Sequence, residues 1–213
     1  MKKEYPVDEY VDKFHEDIRD RRISAEVLDS LLTDGFLDVN TRSPKGNGLL
    51  LTAVLFSRKD LVEVLLKHNA DTEAPGTLPL IRSTGLGNSV ILRLLLEKGA
   101  DPNAKNTLSN GQTALMFIAN SRYKGPKPLE QAQCLLEFGA KANLKDTEGK
   151  TALDMAEENK FDDLCVLLKP YLKKEQDQLL KQKQAQQAIK NQQKLSDHIS
   201  GHATPQPRRR PKP

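Results

Sequence analysis

Apolar and polar positions recur with a helical period in several separate segments of the chain. Leu61, Val62, Val64, Leu65 and Leu66 fall on one helical stripe, and residues 91–96 repeat the pattern almost unchanged. A stripe of this kind predicts an amphipathic helix that buries one face in a core. Each stripe is followed by Gly or Asn, residues that suit the positive φ of a helix C-terminal cap. The pattern therefore predicts several short helices that end in the same way.

These segments recur at a nearly regular spacing. The capping residues Gly35, Asn69, Gly99 and Gly139 are 34, 30 and 40 residues apart. A second, shorter helix is predicted in each unit, opening at "NGLLLTAV", "GTLPLIRS", "NGQTALMFIA" and "EGKTALDMA". A unit of two short helices cannot bury its apolar face alone, so we expect neighbouring units to stack.

These residues resemble the ankyrin repeat, whose pattern is roughly D-x-x-G-x-T-P-L-H-x-A-A followed by V-x-L-L-L-x-x-G-A-D-V-N-A. The resemblance covers about residues 24–170 and implies two antiparallel helices and a projecting turn, the finger, in each unit. The expected fold is all-α, a solenoid of about five stacked helix-turn-helix units. The family's histidine is replaced by Leu51, Ile81, Met116 and Asp154. We therefore expect the side-chain hydrogen bonds that brace the loops to be missing.

The chain is predicted to have four parts: an N-terminal capping helix in 1–23, the solenoid in 24–171, a Lys/Gln-rich helix in 172–196 and a disordered basic Pro/Arg tail in 197–213. Val7, Val11, Phe14 and Ile18 share one face of the capping helix, as a terminal unit requires. Ser24 is a candidate N-cap for a helix whose apolar residues are Val27, Leu28, Leu31 and Leu32. The insertion from Ser121 to Pro128 contains two prolines and one glycine, so we expect a surface loop.

The tail differs in charge from the body. Residues 172–213 carry ten Lys/Arg and three Asp/Glu, a net charge of +7, whereas the whole chain is +4 and residues 1–171 are therefore −3. The apolar residues of the tail helix form no single seam, which argues against a coiled coil. The tail has no aromatic residue after Tyr171, so base stacking is absent and we expect no specific nucleic-acid ligand. The basic cluster is open to four interpretations, a nuclear-import-like address, an anionic partner, a proline-recognition ligand or a solubilising tail; it consists of Arg208, Arg209, Arg210 and Lys212.

No catalytic, cofactor or metal constellation is found in the sequence. Cys134 and Cys165 both lie in apolar helical runs and are expected to be buried structural thiols. His15 and His68 lie in predicted helices apart from these thiols, and His198 and His202 lie in or near the predicted disordered tail. There is no run of 18 apolar residues and no apolar segment after the first lysines, so no membrane span or signal peptide is expected. We expect a monomeric, cytoplasmic protein that is not an enzyme and takes no cofactor or small-molecule substrate.

The resemblance implies a protein partner bound by the fingers and the shorter helices, the concave side of an ankyrin solenoid. Phe56 is the best candidate for a contact residue, with internal packing as the alternative. Arg122 and Tyr123 form a second candidate contact, with a tolerated loop insertion as the alternative. The function expected is that of an adaptor; the alternatives are a secreted bacterial effector acting in the host cytosol, or an adaptor whose basic tail contacts nucleic acid or anionic surfaces. The candidate partner-binding residues are Lys45, Asn47, Leu55, Phe56, Leu86, Gln112, Asn120, Arg122, Tyr123 and Lys150.

Overall fold

The computed structural model of the chain describes residues 7–43, 46–73, 78–120 and 127–201, with side chains described between residues 11 and 194. The chain divides into two compact units, Met1–Leu172 and Lys173–Pro213. The described backbone forms α-helices and two isolated bridges but no β-strand, which confirms the predicted all-α fold. The helices are α1 (Val7–Arg19), α2 (Ala25–Thr33), α3 (Leu49–Leu55), α4 (Lys59–Lys67), α5 (Pro79–Gly85), α6 (Ser89–Glu97), α7 (Ala114–Ala119), α8 (Pro128–Glu137), α9 (Ala152–Glu158) and α10 (Asp162–Gly201).

The helices of the first unit stack in two rows. The helices α1, α3, α5, α7 and α9 contact one another in order and are called the inner row. The helices α2, α4, α6 and α8 likewise contact one another in order and are called the outer row. Since α1 contacts α3 and α2 contacts α4, the first two helices occupy these rows in the same way as the later pairs.

One continuous apolar core joins the two rows. The stripe predicted for the outer helices is confirmed, since Leu61 and Leu65 of α4 and Ile91 and Leu95 of α6 are fully buried. Both thiols are also buried and free, as predicted. Burial raises the pKa of Cys134 and of Cys165 above that of an ordinary thiol.

The predicted C-terminal caps are present. Gly35, Asn69, Gly99 and Gly139 all have positive φ, between 60° and 90°. This left-handed residue turns the chain so that the next N–H returns to the helix; the N–H of Ala100, for example, donates to the carbonyl of Leu95 at 3.0 Å. The same geometry in each unit sends the chain from the outer row into the next finger.

A side-chain oxygen in each finger connects one unit to the next. Asn40 Oδ1 accepts a hydrogen bond from the N–H of Asp71 at 2.8 Å. One unit later the acceptor is a Glu73 carboxylate oxygen and the donor is the N–H of Asp101, at 3.0 Å. Asn103 Oδ1 then accepts from the N–H of Lys141 at 2.7 Å. All three bonds lie at exposed positions, and each links a finger directly to the one that follows.

A buried arginine connects the first helix pair to the second. The Arg58 side chain is only 6% exposed and forms a two-point ion pair with Asp60, the shorter contact being 2.7 Å. The same guanidinium donates to the carbonyl of Ile23 at 2.8 Å and to that of Ile18 at 3.4 Å. The planar guanidinium with its five N–H donors can bind a carboxylate and two carbonyls at once. This pair also holds the pKa of Asp60 below its usual value.

The expectation that the loops lack side-chain bracing is wrong for two units. Thr113 Oγ1 accepts from the N–H of Met116 at 3.4 Å. At α9, Thr151 Oγ1 accepts from the Asp154 N–H, and an Asp154 carboxylate oxygen accepts from the Thr151 N–H at 2.8 Å. Asp154, which stands at the family's histidine position, therefore closes a reciprocal capping box. The helices α3 and α5 begin after Gly48 and Leu78 and have no side-chain cap.

Two local expectations are corrected near helix ends, and a third concerns residues that the structure does not describe. Ser24 caps α2 as predicted, but Val27 is 53% exposed rather than part of the buried stripe, because it lies on the side of this end helix away from the core. Pro128 is not in a loop but begins α8, where its fixed φ suits the first helical position. Residues 121–126 of the insertion, which include Arg122 and Tyr123, lie outside the described residues.

The boundary predicted after residue 171 falls inside a helix. α10 runs from Asp162 to Gly201 and contains Pro170. Proline removes the bond to the carbonyl of Val166, a strongly exposed residue at which water can replace the lost donor. The backbone is also helical from residue 197 to 201, where disorder was expected; residues 202–213, including Arg208, Arg209, Arg210 and Lys212, lie outside the described residues.

Replacing Arg58 with Met should lower the free energy of unfolding by about 2 kcal/mol or more, because two main-chain carbonyls and Asp60 lose their partner. Urea unfolding followed by circular dichroism measures this change. Lys59→Met is the matched control: Lys59 is exposed, and its surface ion pair with Glu63 should contribute less than about 0.5 kcal/mol. Equal losses in both variants would contradict the role assigned to Arg58.

Replacing Asn69 with Ala should destabilise the protein by about 1 kcal/mol, because φ at this position is +60° and a Cβ without a polar group disfavours that region. Asn69→Gly should match or slightly exceed the wild-type stability, as glycine adopts positive φ freely. Thermal unfolding of the wild type and the two variants measures these differences in stability. The opposite ranking, with Ala more stable than Gly, would show that the left-handed cap is not formed.

Candidate functional site

The turns that follow α3, α5 and α9 each present one residue at an equivalent position. Phe56 caps α3 and Leu86 caps α5, and each is followed by a residue with positive φ, Ser57 or Gly87. Asn159 has the same place after α9. Phe56 is 39% exposed and Leu86 is 41% exposed. Two consecutive units therefore present a large apolar side chain at the same point.

The inner row and the fingers of the last two units enclose a hollow of about 480 Å³. The helices α7 and α9 and the residues that end them supply one part of its lining. The fourth finger (residues 106–112) and the fifth finger (residues 146–150) supply the rest. The hollow is lined by Ser109, Asn110, Gln112, Phe117, Asn120, Asp146, Glu148, Lys150, Met155, Glu158 and Asn159.

Hydrogen bonds fix the polar lining of this hollow. The buried Asp146 carboxylate accepts from the N–H groups of Glu148 and Lys150, both at 2.9 Å. Lys150 Nζ lies 2.8 Å from Glu158, and this hydrogen bond raises the pKa of Lys150. The Asn159 amide donates to the carbonyl of Ala119 at 2.9 Å. The walls of the hollow are therefore organised before any partner binds.

The structure brings some of the predicted partner-binding residues together and separates others. Gln112, Asn120 and Lys150 all line the hollow. Leu55 and Phe56 lie at the end of α3, and Leu86 lies at the equivalent end of α5. Asn47 lies in the second finger, where its N–H donates to Ser43 Oγ at 3.2 Å, and it does not line the hollow. Lys45 lies outside the described residues, like the two inserted-loop candidates.

The expected exposure of Gln112 is wrong. Its side chain is only 8% exposed, and Nε2 lies 3.9 Å from Sδ of Met155, which belongs to the next unit. The fifth unit therefore covers a position that would be open at a free finger. Leu55 and Lys150 are only half-buried, so they remain accessible at the surface.

Leu108 is an exposed apolar residue that the sequence analysis missed. In the fourth finger the N–H of Asn106 donates to the carbonyl of Gln112, as the N–H of Asp146 donates to that of Lys150 in the fifth. The fourth finger is two residues longer between these closing bonds. Its tip is held by the bond from the Leu108 N–H to Asn106 Oδ1 at 2.9 Å, which leaves the Leu108 side chain 72% exposed. In the sequence, the exposed fingertip could have been inferred from the greater length of "NTLSNGQ" (residues 106–112) compared with "DTEGK" (residues 146–150).

Phe117 was also missed, because the helical period of α7 places it beside buried residues. Its ring lies at the hollow and against Gly85 of α5, where an added Cβ would be 3.3 Å from the ring. The glycine therefore makes room for the aromatic ring, which is half-buried. Among the described residues that line the hollow, this ring is the only aromatic group.

Two kinds of site are not seen in the part of the chain that the structure describes. It contains no group of three or more His, Cys, Asp or Glu side chains placed to hold a metal ion. Within the same residues, no helix combines the length and the apolar character needed to cross a bilayer.

The two rows of short helices, with fingers linked from unit to unit, define a helical-repeat protein. Residues 20–106 match the family described as ankyrin repeats, in three copies. A protein of Treponema pallidum (strain Nichols) named as ankyrin repeat-containing is 28% identical over 143 residues, 65% of this chain and 46% of that protein. The resemblance to ankyrin repeats seen in the sequence is confirmed for residues 20–106, which match that family.

Other relatives come from both bacteria and animals. Human ankyrin repeat and KH domain-containing protein 1 is 30% identical over 108 residues, 49% of this chain and 4% of that protein. An ankyrin repeat protein of Rickettsia felis (strain ATCC VR-1525 / URRWXCal2) is 38% identical over 63 residues, 30% of this chain and 27% of that protein. In each of these matches the chain spans less than half of the relative's length.

Truncating Leu108 to Ala should change the free energy of unfolding by less than about 0.5 kcal/mol, because the side chain is mostly in solvent. The same change at Leu115, which is fully buried in the same unit, should cost about 2–5 kcal/mol. Urea unfolding of the two variants measures both values. A cost at Leu108 approaching that at Leu115 would show that the fingertip leucine packs internally.

Proposed function

We propose that the chain is a monomeric, non-enzymatic adaptor that binds a partner protein through its inner face, the surface formed by the inner helix ends and the fingers. Ankyrin repeats are in general protein-interaction modules, which sets the class of function. The observation that carries the proposal is the pair of exposed apolar side chains, Phe56 and Leu86, at equivalent positions of consecutive units.

The chemistry of this face suits a protein partner. Phe56, Leu86 and Leu108 offer large apolar surfaces, and aromatic residues are frequent among the few contacts that dominate binding energy. The polar hollow with Lys150 and Asn120 offers hydrogen-bonding groups beside them. A partner would bury the apolar side chains and use the polar walls for orientation, because charged groups at an interface govern specificity more than affinity.

Two alternatives from the sequence make different predictions. In the first, the basic tail binds nucleic acid or another anionic surface and the repeats serve as a scaffold; the net charge of +7 on residues 172–213 favours this alternative. In the second, the protein is a secreted effector that acts on host proteins. The effector hypothesis differs only in the cell in which the partner is found, because the binding surface is again the inner face.

The inner face is tested by affinity capture with Phe56→Asp. The carboxylate should reduce partner binding by about 30-fold or more, the loss expected for a contact that contributes 2 kcal/mol. Val90→Asp is the matched control, since it makes the same chemical change at an exposed valine on the outer helix α6. Circular dichroism establishes that both variants fold, and quantitative mass spectrometry compares the proteins that they retain.

A partner lost with Phe56→Asp and retained with Val90→Asp supports binding through the inner face. The proposal fails if both variants retain every partner and capture disappears only when residues 173–213 are deleted. A steep fall of that tail-dependent binding with salt would then favour an anionic ligand.

A further inference from the structure

His15 forms a hydrogen bond across the contact between the first two inner helices. It lies on α1, and its Nδ1 is 2.5 Å from Oγ1 of the buried Thr52 on α3. The Thr52 hydroxyl has one proton, which it donates to the carbonyl of Gly48 at 3.2 Å. Both bonds are therefore satisfied together when Nδ1 of His15 carries the hydrogen and Thr52 accepts it. This selects the neutral tautomer in which Nε2 carries a lone pair.

Nε2 of His15 is the group that makes this arrangement sensitive to acid. It is buried and has no hydrogen-bond partner among the described residues. Protonation would place an N–H on this atom, and a buried donor without an acceptor is costly. His68 provides the contrast, since its Nε2 lies 2.6 Å from a carboxylate oxygen of Asp29.

Few charges act on the His15 ring. α3 (Leu49–Leu55), the helix that packs against α1, carries no ionisable side chain. Desolvation by burial is the larger effect and lowers the pKa of His15 below its ordinary value of 6.5. Asp12, one turn earlier on α1, opposes this shift by attracting the charged form. The attraction of Asp12 therefore does not compensate for burial.

We propose that His15 is a pH-sensitive latch for α1: protonation weakens the docking of this helix on α3 and uncovers the apolar surface between them. Val11 and Ile18 of α1 are buried. Ile18 belongs to the same apolar core as Leu49 of α3, and Phe14 packs against that core. In the unfolded helix, by contrast, the imidazole is charged readily in water. Docking is therefore strongest above the ordinary histidine pKa and weakens as the pH falls below it.

Hydrogen exchange of the full chain tests the latch. Between about pH 7.5 and about pH 5.5, protection factors of residues 11–19 should fall, by at most about tenfold per pH unit below the ordinary histidine pKa, the limit for one proton. Protection in α6 should fall less. In His15→Asn, whose amide can still donate to Thr52 but does not titrate, the acid-dependent loss should disappear. His68→Asn is the matched control and should keep it.

Two results would overturn the latch: protection of α1 that does not fall with acid in the wild type, or a fall that persists in His15→Asn. If His15→Asn leaves α1 undocked at every pH, NMR titration of the wild-type imidazole decides. A titration midpoint below the ordinary histidine value of 6.5 supports the latch, and a midpoint at or above that value contradicts it.

Discussion

Every feature of the repeat stack depends on one constraint: a pair of helices of six to ten residues has apolar surface on both sides and can bury only part of it alone. Each inner helix therefore packs on the next inner helix, and each outer helix on the next outer helix. The core is continuous because every unit supplies half of each interface. Hydrogen bonds between fingers also connect neighbouring units, since a side-chain oxygen of one finger accepts from a backbone N–H at the start of the next.

Polar contacts add to the packing between the first two helix pairs. Arg58 connects the first pair to the second through two carbonyls and Asp60. The hydrogen bonds of this guanidinium add to the apolar packing of Ile18 and Leu28 in the same core. His15 adds a second polar contact at the same junction, through Thr52. The junction between the first two pairs therefore combines apolar packing with two specific polar contacts.

The periodic parts of the fold could be predicted from the sequence because they rest on local spacing. The outer-helix stripes, the left-handed caps and the Ser24 N-cap all depend on residues within one or two turns. The features that could not be predicted depend on distant partners. Gln112 is buried because Met155 arrives from 43 residues away, and Arg58 binds carbonyls 35 and 40 residues earlier. At the candidate site, the repeat spacing was enough to predict that Phe56 and Leu86 are exposed. The exposure of Leu108 depends on the bond between Asn106 and Gln112 that closes the finger.

The fourth finger has a consequence for how such a protein can change over time. Its extra two residues lie beyond the bond that closes the finger, so the base of the finger is the same as in the fifth unit. Insertions and deletions at this point alter reach and surface chemistry without shifting any helix. Among chains of this kind, new partners could be acquired by a change in tip length, while selection on the core continues undisturbed.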